Sequence, residues 1–328
     1  MEQILENSKV LVTGGAGFIG SALVETLLAA GNQVVCLDNL STGKLQNIAE
    51  FRADKNFCFV EGDIRNLDDC RKAVAGSEIV LHQAALGSVP RSVKDPVTSN
   101  DVNVSGFLNM ITAARDAGVK RFVYASSSSV YGDHPALPKL EENTGNPLSP
   151  YAVTKKVNEL YAKVFGELYG MQTIGLRYFN VFGRRQDPDG QYAAVIPRFV
   201  KSLINHQAPM IFGDGSQTRD FTYIDNVVQA NLRAAVVVNP EAYNTAYNVA
   251  FGDRVTLNQL YTFLRDGLAK FDSRIAAIEP VYTDPRQGDI PHSLASIDKT
   301  SRLLGYNPLF NLRQGLEQSV KWYWEYLR

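Results

Sequence analysis

Short β-branched runs and longer amphipathic stretches alternate through the first half of the chain, the pattern of a parallel sheet wrapped by helices. Strands are predicted at 10–13, 33–37, 57–61, 79–82 and 121–126, with helices between them beginning near Phe18, Leu67 and Val97. The stretch 97–117 sets Val102, Leu108, Ile111 and Ala114 at helical spacing and stops at Gly118. Pro150 suits the first turn of a helix running to Tyr169, with Gly170 beyond its end, and a strand at 173–178 follows. After Gly183 the alternation loosens. Residues 184–190, 214–218 and 285–291 read as loops, and helices are predicted at 195–205, 224–237, 257–269, 298–304 and 312–326. The expectation is an α/β chain with a large N-terminal sheet domain and a smaller, irregular C-terminal part whose segments can interleave with it.

Two local patterns carry candidate chemistry. The first is Thr13-Gly14-Gly15-Ala16-Gly17-Phe18-Ile19-Gly20, between a predicted strand and a predicted helix. It reads as Gly15-x-Gly17-x-x-Gly20 or as Gly14-x-x-Gly17-x-x-Gly20, and either lets backbone N–H groups approach a pyrophosphate. Asp38 closes the next strand, where a carboxylate accepts from both ribose hydroxyls and repels a 2′-phosphate, so NAD is expected over NADP. Gly62-Asp63-Ile64 and His82-Gln83-Ala84-Ala85 follow the third and fourth strands, at the sheet end where open α/β folds bind ligands. The second pattern is Tyr151-x-x-x-Lys155, a phenol and an ammonium on one helical face. A lysine cation and a charged nicotinamide would both favour the phenolate, and lowering a phenol from about 10 to about 7 takes roughly 4 kcal/mol. The cluster Ser126-Ser127-Ser128-Ser129 ends the fifth strand, where a hydroxyl could relay a proton to that phenol.

Composition narrows the class. The chain has 328 residues, 33 Lys+Arg against 34 Asp+Glu and a net charge of −1, which argues against a nucleic-acid binder. Three cysteines (Cys36, Cys58, Cys70) without CxxC spacing point to buried thiols in a reducing compartment, and no apolar stretch approaches the ~18 residues of a bilayer span. The expectation is a soluble, cytoplasmic, enzyme-sized protein without a signal peptide. The four histidines lack metal spacing, so no metal is expected. The run Trp322-Tyr323-Trp324-Glu325-Tyr326 reads as core or subunit packing.

The motifs together resemble the extended short-chain dehydrogenases/reductases of the nucleotide-sugar epimerase branch. They are residues 13–20, Asp38-Asn39, Gly62-Asp63, Tyr131-Gly132, Ser149-Pro150-Tyr151 with Lys155, Arg177-Tyr178-Phe179-Asn180 and Arg219-Asp220-Phe221, and they cover nearly the whole chain. The resemblance implies a Rossmann-type doubly wound parallel sheet with a smaller mixed α/β substrate domain: NAD mainly in residues 1–180, with later segments joining, and a UDP-sugar mainly in 181–328. It implies NAD against Gly14, Gly17, Phe18, Ile19, Gly20, Asp38, Asn39, Asp63, Ile64, Gln83, Ala84, Tyr151, Lys155 and Tyr178. Ser127, four residues before Tyr131, matches the catalytic serine, with Ser128 and Ser129 as stand-ins; Tyr151 matches the base and Lys155 its partner. Asn180, Ala194, Val195, Arg219, Arg286 and Asp289 match positions that hold the UDP-sugar, Phe212 falls where uracil packs, and Ser88 and Asn100 fall near the sugar. A homodimer built through a four-helix bundle is also implied.

Related enzymes that dehydrate or decarboxylate sugars carry an acidic residue just after the catalytic hydroxyl. Ser128, Ser129 and Val130 stand there instead, which favours oxidation and re-reduction at C4 without elimination. Relatives confined to unacetylated sugars place a tyrosine where this chain has Ser293, and a small side chain leaves room for a 2-acetamido group. The expected substrates are UDP-N-acetylhexosamines, with UDP-glucose and UDP-galactose also open. The alternatives are a UDP-glucuronate 4-epimerase and a non-catalytic nucleotide-sugar sensor on the same fold.

Overall fold

The computed structural model describes residues 5–188, 194–285 and 292–328. Its central sheet holds seven parallel strands in the spatial order Thr245–Val249, β6 (Gln172–Tyr178), β5 (Arg121–Ser127), β4 (Ile79–His82), β1 (Lys9–Thr13), β2 (Gln33–Asp38) and β3 (Phe57–Glu61). The order reverses between β1 and β4, the switch point at which doubly wound sheets open a crevice for a ligand. Side chains alternate between two cores along each strand. Val10, Val12, Val34, Cys36 and Leu81 face one, and Leu11, Val35, Leu37, Val80, Phe122 and Tyr124 face the other.

Helix α1 (Phe18–Ala29) packs on the first of these faces. On the second lie α2 (Leu67–Val74) and a long composite helix. After α3 (Val89–Lys94), the stretch expected as one helix over 97–117 is helical throughout, with α4 (Pro96–Asn100) and α5 (Gly106–Asp116) joined by a π-helical turn at Asp101–Ser105. Helix α6 (Pro150–Tyr169) keeps its predicted bounds for the predicted reasons. The Ser149 side chain accepts from Ala152 N, Pro150 fills the first turn, and Gly170 ends the helix at φ 67°. Of the cysteines, Cys36 and Cys70 are buried as expected, but Cys58 is exposed because β3 is the sheet's edge.

The C-terminal half contributes α7 (Val195–Ile204), α8 (Ile224–Val236), α9 (Leu257–Ala269), α10 (Asp298–Leu304) and α11 (Leu312–Tyr326), with α8 packed beside α1. Between them run short strand pairs: Val181–Phe182 with Thr222–Tyr223, Thr218–Arg219 with Val255–Thr256, and Met210–Phe212 with Val281–Thr283. No helix among the described residues is long and apolar enough to cross a membrane.

Candidate active site

The carboxyl ends of β1, β2, β4 and β5 open onto one cleft, lined by Gly14, Gly17, Phe18, Ile19, Gly20, Asp38, Asn39, Gly62, Ile64, Gln83, Ala84, Tyr151, Lys155 and Tyr178. Its floor has no room for side chains. A Cβ on Gly14, at φ 66°, would stand 2.8 Å from Ala84 N, and one on Gly20 would stand 2.0 Å from Gly14 O. Asp38 is 7% exposed. One oxygen accepts from Ala16 N at 3.0 Å and the other from Leu40 N at 2.8 Å, which fixes the carboxylate while leaving further lone pairs. Burial pushes the Asp38 carboxyl up, and these two N–H groups oppose the shift. Asp63 stands at the rim, where Arg65 grips both its oxygens and Asn39 Nδ2 donates at 2.8 Å. The Arg65 hydrogen bonds hold its acidity at about 2.

Helix α6 is stitched to two successive residues at the end of β5. Lys155 Nζ donates to Ala125 O at 2.8 Å and Ser126 Oγ donates to Glu159 Oε1 at 2.7 Å, while the Ser127 side chain comes near enough to the Tyr151 phenol to favour its ionised form. Tyr151, Lys155 and Glu159 stand four residues apart and share one helical face. Glu159 is held in turn by Arg177, whose Nε and Nη2 donate at 2.8 and 2.9 Å in a buried bidentate pair. Ser127 Oγ accepts from Ser129 N at 3.1 Å, while the Ser129 hydroxyl is buried with no partner among the described residues.

The electrostatics correct one expectation. Burial raises the Tyr151 phenol, and the nearby Ser127 side chain opposes that only in part. Burial likewise lowers Lys155 to about 8, so the chain alone does not bring the phenol near neutrality. His82, behind Lys155, is lowered to about 3 by burial and by that lysine, and stays a neutral ring stacked on Phe122.

The remaining expected residues are more dispersed. Tyr178 lines the cleft, but its hydroxyl donates to Gln83 Oε1 at 2.9 Å and accepts from Asn231 Nδ2 at 2.9 Å. Ser88 caps α3 at φ 128°. Asn100 ends α4 exposed, whereas Asn103, in the π-helical turn, clamps Leu86 N and O and reaches Thr154. Asn180 donates to Asp220 O at 2.9 Å, Arg219 lies on a two-residue strand, and Ser293 N donates to Thr218 O at 3.0 Å. Ala194 and Val195 begin α7, and Ala194 opens onto a surface cavity that Lys44 and Asp187 bridge with a 3.0 Å ion pair. Phe212 closes a short strand beneath the Arg198 guanidinium. Arg286 and Asp289 lie outside the described residues. Sequence reasoning missed Glu159, Asn103 and Asn231, and quoted Asp220 in a motif without giving it a role. Of these, Glu159 had a usable signal, its helical spacing from Tyr151 and Lys155.

The profile of the NAD dependent epimerase/dehydratase family matches residues 10–250, which hold every element of this cleft. The chain belongs to that family. It is 38% identical to the UDP-glucose 4-epimerase of Mycolicibacterium smegmatis, over 96% of this chain and 98% of the relative. The solved UDP-N-acetylglucosamine 4-epimerase of Methanobrevibacter ruminantium, in complex with UDP-N-acetylmuramic acid, superposes with a TM-score of 0.90 at 38% identity, covering 97% and 99% of the two chains. The UDP-glucuronic acid 4-epimerase of Bacillus cereus, with UDP-glucuronic acid and NAD, superposes with a TM-score of 0.87 at 31% identity, covering 97% and 99%.

NAD is the cofactor of this epimerase/dehydratase family member, and the cleft fits it. The bare glycine floor at the start of α1 suits a pyrophosphate, and the fixed, buried Asp38 carboxylate has lone pairs left for ribose hydroxyls. Tyr151 and Lys155 lie on the lining where the nicotinamide end would enter. Among the described residues no group of three or more His, Cys, Asp or Glu could hold a metal.

Proposed function

We propose that this protein interconverts UDP-N-acetylglucosamine and UDP-N-acetylgalactosamine at C4 through a 4-keto sugar, with UDP-glucose and UDP-galactose as further substrates. The observation that carries this reading is that Tyr151 and Lys155 line the same cleft as the glycine floor and Asp38, with Lys155 anchored on β5 at Ala125 O. Residues 128 and 129 are serines, so no carboxyl follows the catalytic hydroxyl to promote elimination. Bound NAD would take up and give back the C4 hydride. Tyr151 removes the O4 proton, directly or through Ser127, and returns it to the same oxygen after the sugar has turned over. Lys155, anchored on Ala125 O, keeps a cation beside the phenol, and the charge of a bound oxidised nicotinamide would add to it in favouring the phenolate.

Arg219, Asn180, Ala194, Val195, Phe212, Arg286 and Asp289 would hold the UDP moiety, and the small Ser293 beside Thr218 leaves room for an acetamido group. On this reading residues 1–180 mainly bind NAD and 181–328 mainly bind the sugar nucleotide, in a cytoplasmic enzyme. Val153, Leu160, Val164 and Leu168 form an exposed apolar stripe along α6 at helical spacing, which supports a homodimer through that helix.

Purified protein assayed without added NAD on UDP-N-acetylglucosamine, UDP-N-acetylgalactosamine, UDP-glucose and UDP-glucuronate tests the reading. Turnover of the acetylated pair is expected. Turnover confined to UDP-glucuronate would move the assignment to that substrate, and silence on all four would leave a sensor.

A further inference from the structure

Asp220 belongs to the Arg219-Asp220-Phe221 motif, yet nothing in the proposed chemistry uses it. It is fully buried, and its carboxylate faces backbone N–H groups from two separate segments. Oδ1 accepts from Phe251 N at 3.1 Å, Gly252 N lies 3.2–3.3 Å from both oxygens, and Oδ2 accepts from Ala295 N at 3.2 Å. Its own carbonyl accepts from Asn180 Nδ2 at 2.9 Å.

Residues 292–296 form an extended strap bridged to Thr218 at His292 and to Lys139 at Ala295. Ser293 N donates to Thr218 O, Leu294 O accepts from Lys139 N, and Ser296 N donates to Lys139 O. Between these bonds the Ala295 N–H turns the other way, onto Asp220. The Asp220 side chain therefore ties the Phe251-Gly252 turn to the strap that carries Ser293, while its main-chain carbonyl holds Asn180 and its chain neighbour is Arg219. Burial with no cationic partner among the described residues raises this carboxyl to about 7, and such a group costs the fold more than an apolar residue of the same size would. Arg219, Asn180 and the strap are the segments that the functional reading assigns to UDP and the sugar.

We propose that Asp220 is a positioning residue for the substrate, setting the 292–296 strap in register with Arg219 and Asn180 while touching neither cofactor nor reacting atoms. The proposal rests on the UDP-sugar reading above. It predicts a defect in nucleotide-sugar binding separate from the chemistry of Tyr151.

The test uses NAD-loaded full-length protein and two readouts: UDP affinity by calorimetry and steady-state epimerisation of UDP-N-acetylglucosamine. Asp220→Asn keeps the shape but sets an amide N–H2 against at least one of the N–H donors. It should weaken UDP and raise KM by about tenfold or more, with kcat within about threefold and NAD content unchanged. Ala295→Pro removes the strap's donor and leaves the carboxylate with its other partners, so it should raise KM in the same direction even if Asp220→Asn does not fold. UDP affinity and KM within twofold of wild type in the folded variants would overturn the proposal. So would a fall in kcat and NAD content with KM unchanged. Wild-type protein that binds no UDP would overturn the functional reading as well, whereas normal UDP binding beside unaffected variants overturns the positioning role alone.

Discussion

The junction of α6 with the central sheet and the short strand pairs of the C-terminal half are held together by different means. At the first, α6 side chains bond two consecutive β5 residues, Ala125 and Ser126, backed by the buried Arg177–Glu159 pair. At the second, strands of two or three residues from distant segments pair through backbone, and Asp220 bonds the 292–296 strap at Ala295. The first arrangement fixes the reacting groups rigidly. The second joins segments far apart in the chain, and on the proposed reading they surround the sugar that turns over.

That contrast can be broken at several points, beginning with the chemistry. Tyr151→Phe should cut turnover by about 10³-fold while NAD stays bound, since only the hydroxyl is lost. A near-normal rate would remove the phenol from the mechanism. Glu159→Gln attacks the stitching behind it. It leaves the Arg177 charge buried without its partner, at a cost of about 3–5 kcal/mol in denaturant unfolding. A loss below about 1 kcal/mol would show that the pair does not hold the helix to the sheet.

Lys155 gives the same region a pH signature. Burial lowers its ammonium from 10.5 to about 8, so the unfolded chain keeps this proton to higher pH than the folded one. The lysine therefore costs stability below about pH 8, and the cost fades as pH rises toward 10.5. Wild-type stability minus that of Lys155→Met should climb by about 3 kcal/mol across that window. A flat difference would contradict the burial. The smallest expected effect lies at the substrate end, where Ser293→Tyr should shift selectivity from UDP-N-acetylglucosamine toward UDP-glucose by at least about tenfold. Unchanged acetamido turnover would mean that another residue sets the pocket's width.

The same contrast explains what could be read from the sequence. Helix α6 was legible because its cap, its first-turn proline and its terminal glycine are adjacent in the chain, and because Tyr151 and Lys155 follow helical spacing. The glycine turn and Asp38 were legible for a similar reason. The strand Thr245–Val249 was not, since Thr-Ala-Tyr-Asn-Val mixes an alanine and an asparagine into a short buried run. The π-helical turn in 97–117 was hidden because it leaves the apolar spacing nearly intact, yet it puts Asn103 against Leu86. Asn231 escaped because a polar residue buried among distant groups carries no local pattern, and Asp220 was visible as part of a motif without its backbone partners at 251, 252 and 295.

The central claim is that C4 is emptied and refilled within one enzyme-bound exchange. UDP-N-acetylglucosamine deuterated at C4, incubated in ordinary water with the protein and no added NAD, tests it most directly. The account predicts UDP-N-acetylgalactosamine that still carries the deuterium at C4. Product whose C4 deuterium has been replaced by solvent hydrogen would contradict it.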